Sequence, residues 1–222
     1  EQARGEFLAI LDSDDIWHEE KLQRQVELFR SNPDLGLVFC DSTMFDSGGD
    51  RYRLFQTGTP KRGQIFGDLL AGNFIFTSTM MYRKAALDQL GYVFDERYSR
   101  VQDYELSLRV AYHFPIDYVD ETLCKWRMYQ DSPEWWAWKK SLITRVVEVK
   151  QCIENLIEMY PDIPTKYAME LKVCYVGIDY NYAVAAWEKG HLSEARTYLS
   201  GHLKNKKFAF VYLCTLLVPY GL

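Results

Sequence analysis

Glu6-Phe7-Leu8-Ala9-Ile10-Leu11-Asp12-Ser13-Asp14-Asp15-Ile16-Trp17 is the stretch from which the rest of the chain can be read. The run Phe7–Leu11 has no polar interruption, which predicts a strand buried on both faces, as in parallel sheets. It stops in three carboxylates. Open α/β sheets bind ligands at the carboxyl ends of their strands. In an extended segment Asp12 and Asp14 point to the same side, where both would face one hard cation. Mg²⁺ or Mn²⁺ suits carboxylate oxygens combined with substrate phosphates. The plainer reading makes Asp15 the N-cap of a helix beginning near Ile16. A cap needs one acid and three are present; side by side they repel unless a cation or solvent compensates.

Downstream, His18–Arg30 reads as a helix with Leu22, Val26 and Phe29 on one stripe, and Leu35–Cys40 as a second buried strand. Strand, helix, strand is a βαβ unit, so a parallel pairing is expected. Residues 46–63 form a polar loop or hairpin whose Arg51, Arg53, Lys61 and Arg62 read as solvated loop charges rather than a ligand site. Gln64–Ala71 is a short helix and Phe74–Tyr82, rich in aromatic and β-branched residues, a strand. Arg83–Leu90 is a helix stopped by Gly91. A second chemical signal is Ser99-Arg100-Val101-Gln102-Asp103-Tyr104-Glu105-Leu106-Ser107-Leu108-Arg109, where Asp103 opens a helix running to His113. On the residues alone, Asp103 is a helix N-cap. Ile116–Val119 reads as an edge or connecting strand, continued by an extended tail, Thr122–Met128.

Ala3 through Trp17, with Lys21-Leu22 and Gln25 beyond, resembles the central segment of family 2 glycosyltransferases of the GT-A fold. The resemblance implies an α/β fold: a partial GT-A, Rossmann-like mixed sheet flanked by helices, followed by an all-α C-terminal region. It implies that Asp12 and Asp14 hold Mg²⁺ or Mn²⁺ on a nucleotide-diphosphate sugar, with Asp12, Arg4, Asp15, Arg127 and Tyr129 on the donor side. The family carries a Glu-Asp pair at the head of the later helix, its Asp being the general base. Here Gln102 replaces the Glu and Asp103 keeps the base position. Gln102, Trp126, Thr77 and Ser78 fall on the acceptor side. An Arg-x-His of the family reads Arg127-Met128-Tyr129 here, without the imidazole, which puts metal dependence in question. The implied activity is inverting transfer of a sugar to a hydroxyl of a glycan or glycolipid. A nucleotidyltransferase, or a non-catalytic binding or scaffold fragment of a transferase, stays open as an alternative. The resemblance also implies that the first half of the domain precedes Glu1, so the chain reads as part of a longer polypeptide.

Residues 1–132 are expected to be catalytic and 133–222 a helical, tetratricopeptide-like extension too short for an independent solenoid. Trp126, Trp135, Trp136 and Trp138 crowd that junction and read as seals between elements more readily than as sugar platforms. With 222 residues, 48% apolar and 26% charged, the composition is that of an ordinary soluble globular protein. A net charge of −5 argues against nucleic-acid binding through a basic face. Five scattered cysteines without CxxC spacing suggest reduced, buried thiols and a cytoplasmic setting; a place at the inner face of a membrane stays open through the C-terminal helices. Phe208–Val218 is shorter than the ~20 residues that span a bilayer. The C-terminal helices are left with three readings: burial of a sheet face, homo-oligomer formation or peripheral membrane contact.

Overall fold

The computed structural model describes residues 3–128 and 142–217. The chain divides into two compact units, Glu1–Trp135 and Trp136–Leu222. The expected boundary at 132/133, and Tyr129, Trp135, Trp136 and Trp138 with it, lie outside the described residues.

The first unit is a mixed six-stranded sheet with helices against it. Its strands are β1 (Phe7–Ala9), β2 (Ile16–Trp17), β3 (Leu37–Asp46), β4 (Gly49–Arg53), β5 (Met81–Arg83) and β6 (Ile116–Arg127). Five of them run in the order β1-β5-β3-β6-β2, and β4 pairs with β3 as a hairpin. Between the strands lie α1 (Lys21–Ser31), α2 (Phe66–Ala71), α3 (Lys84–Leu87) and α4 (Gln102–His113).

The α/β class with a mixed sheet is as expected, but several strands are placed differently. β1 covers only Phe7–Ala9, is half-buried, and pairs antiparallel with β5 alone. β5 in turn is antiparallel to β3, so β1 and β3 run the same way with β5 between them. The parallel sense of β1 and β3 survives while their adjacency does not, because a strand from later in the chain intercalates. Residues expected to form one strand over Phe74–Tyr82 instead make a 3-10 turn at Thr77–Thr79 before β5. β6, expected as an edge piece and a tail, is a single twelve-residue strand, parallel to β3 and antiparallel to β2. It stands inside the sheet.

α1 begins at Lys21, and Ile16–Trp17 ahead of it is strand, so Asp15 caps no helix. The inward stripe of α1 is Lys21, Gln25 and Phe29, while Leu22 is exposed. Phe29 stacks on Phe7 at 4.7 Å between ring centroids and joins Leu35, Val38 and Met81 in the core under β1. At the far end, Gly36 leads into β3 against the end of α4: a Cβ there would come within 2.6 Å of Phe114 Cβ. The loop charges stay exposed and pair with acids of their own unit. Arg51 pairs with Asp46, Arg53 with Asp41 and Asp120, Lys61 with Asp68 and Arg62 with Asp117.

The second unit is all-α over its described residues: α5 (Leu142–Met159), α6 (Ile163–Lys166), α7 (Ala168–Glu188), α8 (Leu192–Ser200) and α9 (Lys206–Leu217). α7 and α8 form a hairpin turned at Gly190, whose φ of 76° is a left-handed conformation that glycine adopts without strain. Ala183, Ala195 and Leu199 are fully buried, and the two alanines let the helices approach closely.

Candidate functional site

After β1 the chain leaves the sheet and closes a tight turn, the N–H of Asp15 donating to the carbonyl of Asp12 at 3.2 Å. The acids therefore sit on a turn, not on an extended segment, and the period-two argument for Asp12 and Asp14 does not describe their placement. The Asp12 N–H donates to Ser78 Oγ at 3.0 Å. β2 then docks on β6, where the N–H of Arg127 donates to Asp15 Oδ1 at 2.9 Å and Arg127 Nε donates to the Asp14 carbonyl at 2.9 Å. The Arg127 guanidinium rests 4.4 Å from the ring of Phe45. Arg127 thus holds the acid turn to the end of β6 through its backbone and its side chain. Arg4 is exposed ahead of β1.

The carboxylates crowd one another. Burial, and then the charges of Asp15, Asp14 and Asp103, raise the pKa of Asp12 above its ordinary value. Asp15 is raised as well, by burial and by Asp14, against the lowering effect of Ser78 and Arg127. That Asp103 acts on Asp12 places the head of α4 in the same electrostatic neighbourhood as the acid turn. Asp15 Oδ2 is buried without a hydrogen-bond partner.

The 3-10 turn Thr77–Thr79 joins the two sets of acids. Thr77 Oγ1 donates to Asp103 Oδ2 at 2.6 Å, while Ser78 Oγ accepts from Asp12. The N–H of Tyr104 donates to the other Asp103 oxygen at 2.8 Å. Asp103 lies in the first turn of α4 and not at its cap, which is Val101. The hydroxyls of Thr77 and Ser78 are thus engaged within the fold. Beside the base, Gln102 is half-buried and its Oε1 is buried without a partner. The ring of Trp126 is half-buried, 5.3 Å from that of Phe76, which precedes the turn.

Sequence reasoning gave no role to the residues that support this turn from beneath. Trp17 Nε1 donates to the Ser78 carbonyl at 2.6 Å, and Gln25 Nε2 donates to the carbonyls of Thr79 at 2.8 Å and Val38 at 3.1 Å. Lys21 is fully buried, its Nζ donating to Gln25 Oε1 at 2.8 Å and lying 4.1 Å from the centroid of the Trp17 ring. Lys21 and Gln25 are one helical turn apart and in register with Phe29. A lysine and a glutamine in phase with a core phenylalanine were the signal to read.

Burial lowers the pKa of Lys21 from 10.5 to about 8. Below about 8 both folded and unfolded chains carry the charge. Between about 8 and 10.5 the folded state sheds its proton first and gains stability as pH rises. Lys21→Met is expected to lie within about 2 kcal/mol of the natural protein at neutral pH, because removing a buried charge offsets a lost hydrogen bond. Relative to the natural protein, it should then lose about 3 kcal/mol as pH rises towards 10.5. Urea unfolding of both proteins at the two ends of that range checks this; a difference independent of pH overturns it.

No group of three or more His, Cys, Asp or Glu among the described residues makes a ready metal cage. What is present is a surplus of carboxylates that raise one another's pKa, with one buried oxygen orphaned. That fits a cation such as Mg²⁺, which takes one or two carboxylates and completes its shell with water and substrate phosphates.

Residues 1–91 match the family model described as Glycosyl transferase family 2. Among curated relatives, an uncharacterized glycosyltransferase of Methanocaldococcus jannaschii, MJ1057, is 31% identical over 127 residues, 57% of this chain and 43% of that protein. The amylovoran biosynthesis glycosyltransferase AmsB of Erwinia amylovora is 30% identical over 112 residues, 48% of this chain and 36% of its own length. The chain thus spans less than half the length of these relatives. Similar solved structures include S. aureus TarS 1–349 with UDP-GlcNAc (14% identity, TM-score 0.47, 96% of this chain and 67% of that one) and the Pyrobaculum calidifontis mannosyltransferase PcManGT with GDP-Man and Mn²⁺ (14%, 0.44, 96% and 60%). Asp103 and Arg127 lie beyond residues 1–91, while the whole acid turn lies within this segment, the part of the chain that is similar to glycosyl transferase family 2.

Proposed function

We propose that the protein is an inverting glycosyltransferase that moves a sugar from a nucleotide-diphosphate donor to a hydroxyl of a glycan or glycolipid. The observation that carries this reading is the shared neighbourhood of Asp12, Asp14, Asp15 and Asp103, two parts of the chain joined by the turn at 77–79. Asp103 is the general base. The Thr77 hydroxyl and the Tyr104 N–H hold its two oxygens, so the carboxylate is oriented before the acceptor arrives. It takes the acceptor's proton as the acceptor oxygen bonds to the anomeric carbon from the face opposite the diphosphate. The bond from that carbon to the phosphate oxygen breaks, and the diphosphate leaves with its electron pair. Gln102 Oε1, an unused acceptor beside the base, suits a hydrogen bond from a second acceptor hydroxyl. Trp126 contributes an apolar wall beside the turn.

Asp14 and Asp12 would hold Mg²⁺ or Mn²⁺, which supplies positive charge to the departing diphosphate. Arg127 keeps the acid turn in place, and Asp15 and Arg4 belong to the donor side of this reading. Polysaccharide synthesis is in keeping with the amylovoran relative. Among the described residues no helix is long and apolar enough to cross a membrane.

Thermal unfolding of the full-length protein tests the donor side. Mn²⁺ together with UDP or GDP is expected to raise the midpoint, and Asp14→Ala to abolish the rise while leaving the unliganded midpoint nearly unchanged. Indifference to both nucleotides would favour a non-catalytic module over a transferase.

A further inference from the structure

α9 is apolar on two opposite sides. Inward, Phe208 and Val211 are buried with Ala183 and Leu199 of the α7–α8 hairpin. Outward, Phe210, Leu213 and Leu216, three residues apart and so on one face, are 68%, 55% and 53% exposed. Leu203, in the turn before the helix, is exposed as well. A helix that is apolar all round is normally covered all round.

The charge around this face indicates the cover. Residues 195–222 contain Arg196, Lys204, Lys206 and Lys207 and no Asp or Glu, in a chain whose net charge is −5. Arg196 turns inward towards the Thr215 carbonyl, whereas Lys204 and Lys206 are exposed at the start of α9, as is Lys207, whose Nζ lies 4.0 Å over the Tyr180 ring. A second copy docked through the same face would meet an equally basic stretch, and residues 195–222 bring no carboxylate of their own to answer it. Twelve residues of helix measure about 18 Å, short of the ~30 Å hydrocarbon core of a bilayer. Exposed aromatic and leucine side chains next to lysines are the pattern of a helix lying in a lipid interface.

We propose that α9 docks the protein on an anionic lipid surface, with Phe210, Leu213 and Leu216 entering the acyl boundary and Lys204, Lys206 and Lys207 meeting the phosphate headgroups. This rests on the helical unit alone and does not depend on the transferase reading.

Flotation of the full chain with vesicles tests it. Binding is expected to vesicles of phosphatidylglycerol in phosphatidylcholine, to weaken with salt, and to be largely lost on phosphatidylcholine alone. Leu213→Asp should release the protein, and the Lys204→Glu, Lys206→Glu pair should weaken binding by on the order of tenfold or more. These side chains are exposed, so helix content measured by circular dichroism should stay unchanged. Absence of flotation with the anionic vesicles overturns the proposal, as does flotation that neither variant alters. So does a concentration-dependent dimer that Leu213→Asp converts to monomer without any vesicle binding, which would assign the face to a second copy.

Discussion

Asp103→Asn in the full-length protein is expected to lower turnover by about 10²–10⁴-fold while the fold persists. Asparagine keeps the shape of the side chain, and its carbonyl oxygen can still accept one of the two hydrogen bonds now made by Thr77 Oγ1 and the Tyr104 N–H. The stability cost is therefore about that of one hydrogen bond, ~1 kcal/mol. Proton acceptance is lost outright, so kcat falls with little change in donor affinity. A second readout needs no turnover. Because the Asp103 charge is one of the causes that raise Asp12, its removal should move the Asp12 titration, followed by carboxyl NMR, to lower pH. Full activity in Asp103→Asn with the Asp12 titration displaced would leave the neighbourhood intact and remove the base from the mechanism. An Asp12 titration that does not move would remove both.

Arg109→Leu is expected to cost about 3–5 kcal/mol of stability. Arg109 and Glu105 form a buried bidentate pair on α4, with Nε to Oε1 at 2.6 Å and Nη2 to Oε2 at 2.9 Å. The same guanidinium donates to the carbonyls of Tyr92 at 2.8 Å and Val93 at 2.6 Å and lies 4.0 Å from the Tyr92 ring. The Tyr92 hydroxyl donates to Glu105 Oε1 at 3.2 Å. Burial and the Glu105 charge push that phenol up to about 12, so it remains a donor at neutral pH. Leucine would strand the Glu105 carboxylate in the core and free two loop carbonyls, which is where the cost arises. The double variant Glu105→Leu, Arg109→Leu should recover most of it, because apolar residues can replace a buried pair at little or no cost. Urea unfolding of the single and double variants measures this. A single variant as stable as the natural protein would mean the pair does not hold the loop before α4.

The candidate residues were legible because the patterns that single them out are local. Three acids at the end of an apolar run, and Asp103 at the head of an amphipathic helix, are patterns of neighbouring residues. The helical character of the second unit was legible as well. Phe74–Tyr82 was misread because β-branched and aromatic residues also suit an irregular segment packed on a core, where burial outweighs strand propensity. α1 was misread at Leu22 because hydrophobic periodicity assigns the buried face to apolar residues, whereas here Lys21 and Gln25 go inside to bond each other and the turn at Thr79.

The amino-acid sequence by itself determined the class of the first unit and the helical character of the second, since each depends on side chains within a few positions of one another. Only the tertiary structure decided that β5 separates β1 from β3, that Arg127 reaches back to Asp14 and Asp15, and that Thr77 and Ser78 connect Asp103 to Asp12. Those partners lie tens of residues apart along the chain. Their pairing is set by which surfaces the sheet buries together, and no local pattern encodes that.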